Sequence, residues 1–215
     1  MTRKDEITPY LLELKAELEK LSRMRIKVGI QSDADGEILM IARVHEYGAT
    51  ITAKNAKNLC IPISPKSYDK SPRDFPDLFF IRSEAGYLFG VTAKKGRKNL
   101  ENENNLNFLF LLLPSVTIPE RSFIRAGFDH NKTRLAEIVQ ESVADVVHGR
   151  STAEEAANWI GGKAVECIQE FINQASNFKP KGKLQRERHP SYADNPLFVT
   201  GRHIRNSITF KIEEG

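Results

Sequence analysis

Ile118-Pro119-Glu120-Arg121-Ser122-Phe123-Ile124-Arg125 is the joint of this chain. It follows the most apolar run in the sequence, Leu106 to Leu113, and precedes a long amphipathic segment. Proline at 119 cannot donate a ladder hydrogen bond, and it biases Ile118 toward extended geometry. A buried strand therefore ends here and a helix is aimed from here. Two arginines flank an aromatic and an aliphatic residue, a mixture suited to packing against another protein. No nucleophile, base or metal cluster accompanies it, which argues against a catalytic pocket.

Beyond the joint, Leu135, Ile138, Val139, Val143, Val146 and Val147 recur at helical spacing between His130 and His148, and Gly149 stops that helix. Ser151-Thr152-Ala153-Glu154 reads as a capping box for a second helix. Its buried stripe is Ile160, Ala164, Cys167, Ile168, Phe171 and Ile172. Gly161-Gly162 inside it costs roughly 2 kcal/mol against alanine, which favours a kink or a close helix contact. Residues 178–194 are polar, basic and broken by Pro180, Gly182 and Pro190, as in a mobile loop. The final strand, Ser207 to Ile212, alternates Ile208, Phe210 and Ile212 with polar residues.

Upstream, Thr8-Pro9 marks a helix start, and Leu11, Leu14, Leu18 and Leu21 give that helix an apolar side. Ile26, Val28 and Ile30 alternate along a strand with one buried face. Ser32 to Gly36 is a turn, Glu37 to Tyr47 a short helix ended by Gly48, and Ala49 to Ala53 is extended. Residues 54–113 differ in character. Leu78 to Ile81 and Tyr87 to Val91 form a hairpin, and Leu106 to Leu113 is a strand buried on both faces. The stretch reads as a β-rich insertion. The whole is an α+β single domain: an antiparallel sheet packed against two long helices (130–148 and 152–175), with an N-terminal helix at its periphery.

With 215 residues, 40% hydrophobic and 28% charged, the chain has an ordinary globular composition. A net charge of +4 is compatible with contact to nucleic acid without arguing for it. Cys60 and Cys167 lie in apolar contexts and read as buried reduced thiols. The start MTRKDEITPY has no apolar segment and so is not a secretory signal, and no run is long enough to span a bilayer. A cytoplasmic site of synthesis and use follows.

His45-Glu46 invites a zinc-protease reading, but the second histidine that the motif needs falls on Ala49. No phosphate loop or nucleophile elbow is present. No catalytic residue, cofactor site or metal site is assigned. The basic loops at 94–98 and 179–188 are the nucleic-acid candidates, with Lys179, Lys181, Lys183, Arg186 and Arg188 as possible DNA-facing residues.

Three pieces taken in order carry a resemblance. The first is Val28-Gly29-Ile30 followed by Ala42-Arg43-Val44-His45-Glu46-Tyr47-Gly48-Ala49-Thr50-Ile51. The second is the joint, and the third is Asn195-Pro196-Leu197-Phe198-Val199-Thr200-Gly201-Arg202-His203-Ile204-Arg205-Asn206-Ser207-Ile208-Thr209. Their order and spacing resemble the neck and tail-completion proteins of tailed bacteriophages, the head–tail joining group of virion morphogenesis proteins. Residues 54–113 are longer than a compact member needs, and His203-Ile204 replaces a simpler aliphatic pair.

The resemblance implies a non-enzymatic virion structural protein, assembled in the host cytoplasm and residing in the neck or tail. It implies a ring of copies, hexameric, with connector or adaptor, tail-terminator or tail-tube proteins as partners. Interface candidates are Tyr47, Arg121, Phe123, Arg125 and Arg202, because aromatics and arginines favour such surfaces. The basic loops would face DNA in the lumen without reading its sequence, and no membrane is involved. Two other classes stand beside this reading: a cytoplasmic DNA-binding or regulatory protein using those loops, and a prophage enzyme such as a hydrolase, which no catalytic constellation supports.

Overall fold

A computed structural model describes residues 4–95, 102–188, 190–195, 197 and 203–214. The protein is α+β with antiparallel sheets. The single domain expected from the sequence resolves into two compact units. One comprises Met1–Gly48, Pro119–Lys181 and Ser191–Gly215; the other Ala49–Ile118 and Gly182–Pro190. The physical reason is hydrogen bonding: every strand ladder of the described residues closes within one unit. The β-rich insertion therefore runs from 49 to 118 rather than from 54 to 113.

In the first unit, helix α1 (Lys4–Arg23) begins ahead of Thr8-Pro9 and carries Pro9 inside it. Pro9 lies in the second turn and forfeits the bond to the Asp5 carbonyl. Strand β1 (Met24–Ile30) pairs antiparallel with β8 (Ile208–Glu214), the chain's last strand. Ile26 faces Ile212, Val28 faces Phe210 and Ile30 faces Ile208, so the apolar residues of both strands share one side.

Under this ribbon lies α5 (Ala153–Asn173). Its glycine explains the close approach. A Cβ on Gly161 would stand 2.6 Å from Phe210 Cε2 and 2.7 Å from Cγ. The close approach at Gly161 is thus made by a strand, where the sequence suggested a kink or a close helix contact.

The capping box of α5 sits one residue later than read from the sequence. Thr152 Oγ1 accepts from Glu155 N at 3.3 Å, and Glu155 accepts the Thr152 N–H at 2.9 Å. Glu154 is drawn away to Lys20 at 2.7 Å instead. Glu17 accepts the Ala153 N–H at 2.6 Å. Together these tie α1 to the positive end of the α5 dipole.

Helix α2 (Gly36–Tyr47) is capped by Asp35, which accepts from Glu37 N at 2.8 Å, and Gly48 beyond it takes φ 70°. The joint continues into α3 (Ile124–His130), and after a break at Asn131 into α4 (Lys132–Val147). Asn131 Nδ2 bridges the break, donating to Gly127 O at 2.8 Å and Cys167 O at 3.3 Å. Phe123, Ile168 and Ile172 form the centre of the core, with Leu197, Ile204 and Ile208 packed among them. Cys167 is buried and Cys60 half-buried; both are free thiols.

In the second unit, β2 (Ala49–Thr52) pairs with β7 (Ser115–Ile118). The remaining strands are β3 (Leu59–Pro62), β4 (Phe79–Arg82), β5 (Leu88–Ala93) and β6 (Leu106–Leu113). They order as β3-β6-β5-β4, with the most apolar strand central and the expected hairpin at its side. Burial of β6 is fullest at Leu106, Leu109 and Phe110 and falls to half along Leu111 to Leu113. Residues Lys183–Arg188 form α6, a short helix, where the sequence suggested a loop.

Candidate functional site

The joint is organised by Glu46, which is 5% exposed. Its carboxylate accepts Ser122 Oγ at 2.8 Å, Phe123 N at 2.8 Å, Ile124 N at 3.0 Å and Arg125 N at 3.1 Å. These are the donors left free at the start of α3, so a residue from α2 caps α3 in trans. Burial by itself would raise the Glu46 pKa. The amides of Ile124, Arg125 and Phe123 and the Ser122 hydroxyl outweigh it and hold the carboxyl below its ordinary value.

Arg125 completes the arrangement. Its Nε donates to Glu46 Oε1 at 3.0 Å, and one terminal nitrogen reaches both the Glu46 carbonyl and Glu120 at 2.8 Å. The guanidinium carbon lies over the Tyr47 ring, 4.7 Å from its centroid. Tyr47 is 64% exposed. The outcome is an aromatic–arginine pair on the surface, its guanidinium held by Glu46 and Glu120.

Arg121 and Phe123, expected at an interface, are spent inside the fold. Phe123 is fully buried. Arg121 is buried too: its N–H donates to His45 O at 2.8 Å, Nε to Lys179 O at 2.8 Å and a terminal nitrogen to Pro180 O at 3.2 Å. It fastens 179–180 to the joint. Arg202 lies outside the described residues. Of the interface residues read from the sequence, the structure brings Tyr47 and Arg125 together at the surface.

The basic segment divides. Lys181 is buried within the first unit, which corrects its assignment as DNA-facing: an ammonium out of solvent cannot meet a phosphate. Burial and the Arg121 charge lower its pKa. Arg188, in the second unit, is held by Asp69 at 3.3 Å and lies over the Tyr68 ring at 4.5 Å. Lys179, Lys183 and Arg186 are exposed. In the loop at 94–98, Lys94 donates to Asn104 O at 2.7 Å, and 96–98 lie outside the described residues.

His45, beside Glu46 in sequence, has an imidazole pKa pushed down to about 4 by burial, with Arg121 and Lys181 adding to it. Its Nδ1 is buried without a hydrogen-bond partner. Among the described residues no group of three His, Cys, Asp or Glu could hold a metal ion, and no helix is long and apolar enough to cross a membrane.

An apolar groove of about 840 Å³ adjoins this site. Ile26 and Val28 of β1, Phe128 of α3, Val139 of α4 and Ile160 of α5 line it, and Arg125 stands at its rim. Phe128 and Val139 are half-exposed there. Of the apolar positions that the sequence places on α4, Leu135 and Val139 line it.

The chain matches no protein-family model, no curated protein and no solved structure. The functional reading therefore rests on the site and on the sequence motifs themselves.

Proposed function

We propose that this chain is a non-enzymatic structural protein of a tailed-phage virion. It completes the tail or joins it to the head, as copies in a ring at the neck. The observation that carries this reading is the convergence of the three motif pieces. The Glu46 carboxylate of the first piece grips residues 122–125 of the second through five hydrogen bonds. Leu197, Ile204 and Ile208 of the third share one core with Phe123. Pieces that are short and separate in sequence act as one structural unit.

The same unit presents what an assembly protein needs: the exposed Tyr47–Arg125 pair beside an apolar groove. A ring requires head-to-tail contacts that close by rotation, so these features would meet a different surface of the neighbouring copy or of a connector or tail protein. DNA contact in the lumen would fall to Lys179, Lys183 and Arg186.

The test is deletion of the gene from its phage or prophage, with electron microscopy of the induced lysate. Full heads beside unattached tails support the joining role, and tails of abnormal length support tail termination. Normal infectious virions overturn the reading. Salt-sensitive DNA binding by the isolated protein would then favour the regulatory alternative.

A further inference from the structure

We propose that the free edge of β1 and the groove beside it receive an extended strand from a partner protein, one that alternates apolar with acidic residues. This rests on the geometry of the first unit and not on the virion reading. Strand β1 is paired along all seven residues with β8 on one side. Among the described residues no strand pairs with its other edge. Half of its backbone donors and acceptors thus point away from a ladder. The Lys27 carbonyl receives the Gln31 side-chain amide at 3.5 Å, at the long limit of a hydrogen bond, which an incoming N–H would replace.

Ile26 and Val28 line the groove and no β8 residue does, from which we infer that it opens on the free side of β1. Phe128, Val139, Ile160 and Ala164 line it with them. A strand added to β1 would send every second side chain into this space and the others toward solvent. Backbone hydrogen bonds would supply affinity, and the groove would select apolar residues at alternate positions.

Charge selects the rest of the pattern. The exposed side of β1 carries Arg25 and Lys27, and the groove rim carries Arg125, Lys132 and Asp129. Lys27 meets Glu213 at 2.7 Å, and Arg125 meets Glu46 and Glu120. Among the described residues Arg25 and Lys132 make no ion pair. Solvent-side glutamate or aspartate on the added strand complements them.

The strand is not β8 of a second copy. The apolar side of β8 is already spent, with Ile208 buried and Phe210 seated against Gly161.

The probe is a capped, fluorescein-labelled peptide with the seven-residue length of β1, alternating isoleucine or valine with glutamate. Anisotropy is read on the whole protein, together with hydrogen exchange of the β1 amides. Saturable binding is expected, with slowed exchange in β1 and loss of binding when alternate peptide amides are N-methylated. Val139→Glu, at an exposed groove position, should weaken binding at least about tenfold with unchanged circular dichroism. A peptide of the same composition at helical spacing is the control. If it binds as well or better, the groove takes a helix and the proposal fails. Absence of saturable binding by the alternating peptide at millimolar concentration overturns it. So does self-association that Val139→Glu dissolves, since a second copy would then hold the groove.

Discussion

The Glu46 carboxylate accepts the Phe123 amide at 2.8 Å, joining residues 77 apart in sequence, and the Phe123 ring is fully buried. One end of α2 therefore fixes where the central aromatic of the core enters. Removing the carboxylate leaves the buried Phe123 amide and the part-buried amides of Ile124 and Arg125 without this acceptor, a buried one costing roughly 1–3 kcal/mol. Glu46→Ala is expected to destabilise the protein by about 3 kcal/mol or more, and Glu46→Gln by less, since one oxygen still accepts. Urea unfolding of both variants checks this. A loss under about 1 kcal/mol for Glu46→Ala would show that water replaces the carboxylate.

Arg121 offers a related test. Its planar fork meets two successive carbonyls, Lys179 O and Pro180 O, which a single ammonium cannot match. Arg121→Lys should cost about 1–3 kcal/mol and open residues 179–181 to protease. Limited proteolysis with mapped cleavage sites reads the second effect. An unchanged pattern would mean that 179–181 is held by something other than the fork.

Much of this architecture was legible beforehand. Alternation at Ile26, Val28, Ile30 and at Ile208, Phe210, Ile212 gave both strands of the ribbon, although not their pairing, since the partners lie at opposite ends of the chain. Stripe spacing gave α5 to within a residue or two because apolar period and capping chemistry agree there. The site was less legible. Glu46 reads locally as a polar residue at a helix end, and its role appears only when a distant helix start is brought to it. Arg121 and Phe123 were read as interfacial by residue type, but type does not reveal burial. The division into two units was hidden because Ala49 and Ile118 are not marked by a linker composition; their pairing in one ladder draws the boundary.

His45 gives the protein a pH dependence of definite sign. In the unfolded chain its imidazole takes a proton near 6.5, while in the fold burial, Arg121 and Lys181 delay this to about 4. The unfolded state therefore binds more protons between these values, and stability falls as pH drops through that window. The ceiling is roughly 3 kcal/mol at about 1.4 kcal/mol per pH unit. Above the window the contribution is constant. Glu46, with its lowered pKa, adds a second loss that begins only below its ordinary 4.5. Unfolding free energies between about pH 7 and pH 5 should decline in the native protein and be nearly flat in His45→Asn. Equal slopes would place the titration elsewhere.

At Gly161 the expected effect is steric. A methyl group at that position would overlap the Phe210 ring, with Cε2 at 2.6 Å, although alanine is the better helix former by about 1 kcal/mol. Gly161→Ala should therefore destabilise by about 1–3 kcal/mol, and the cost should shrink when Phe210→Leu removes the ring. A double-mutant cycle by thermal or urea unfolding measures the coupling. Additive effects would mean that the ribbon shifts freely on α5.

Tyr47 separates assembly from stability. It is exposed, it covers the Arg125 guanidinium, and it lies at the end of α2 without entering the core. Tyr47→Ala should therefore change the unfolding free energy by less than about 1 kcal/mol, the scale of a solvent-exposed cation–π contact. Arg125 keeps its bonds to Glu46, so the joint stays closed. If the Tyr47–Arg125 pair anchors a partner in the particle, truncating the ring should cost about 2 kcal/mol or more of binding, the range of an interface hot spot. Complementation of a gene deletion with Tyr47→Ala reads this directly. The expected lysate holds soluble, folded protein with few joined particles. Full infectivity with Tyr47→Ala would remove this pair from the interface and leave the groove along β1 as the remaining surface to probe.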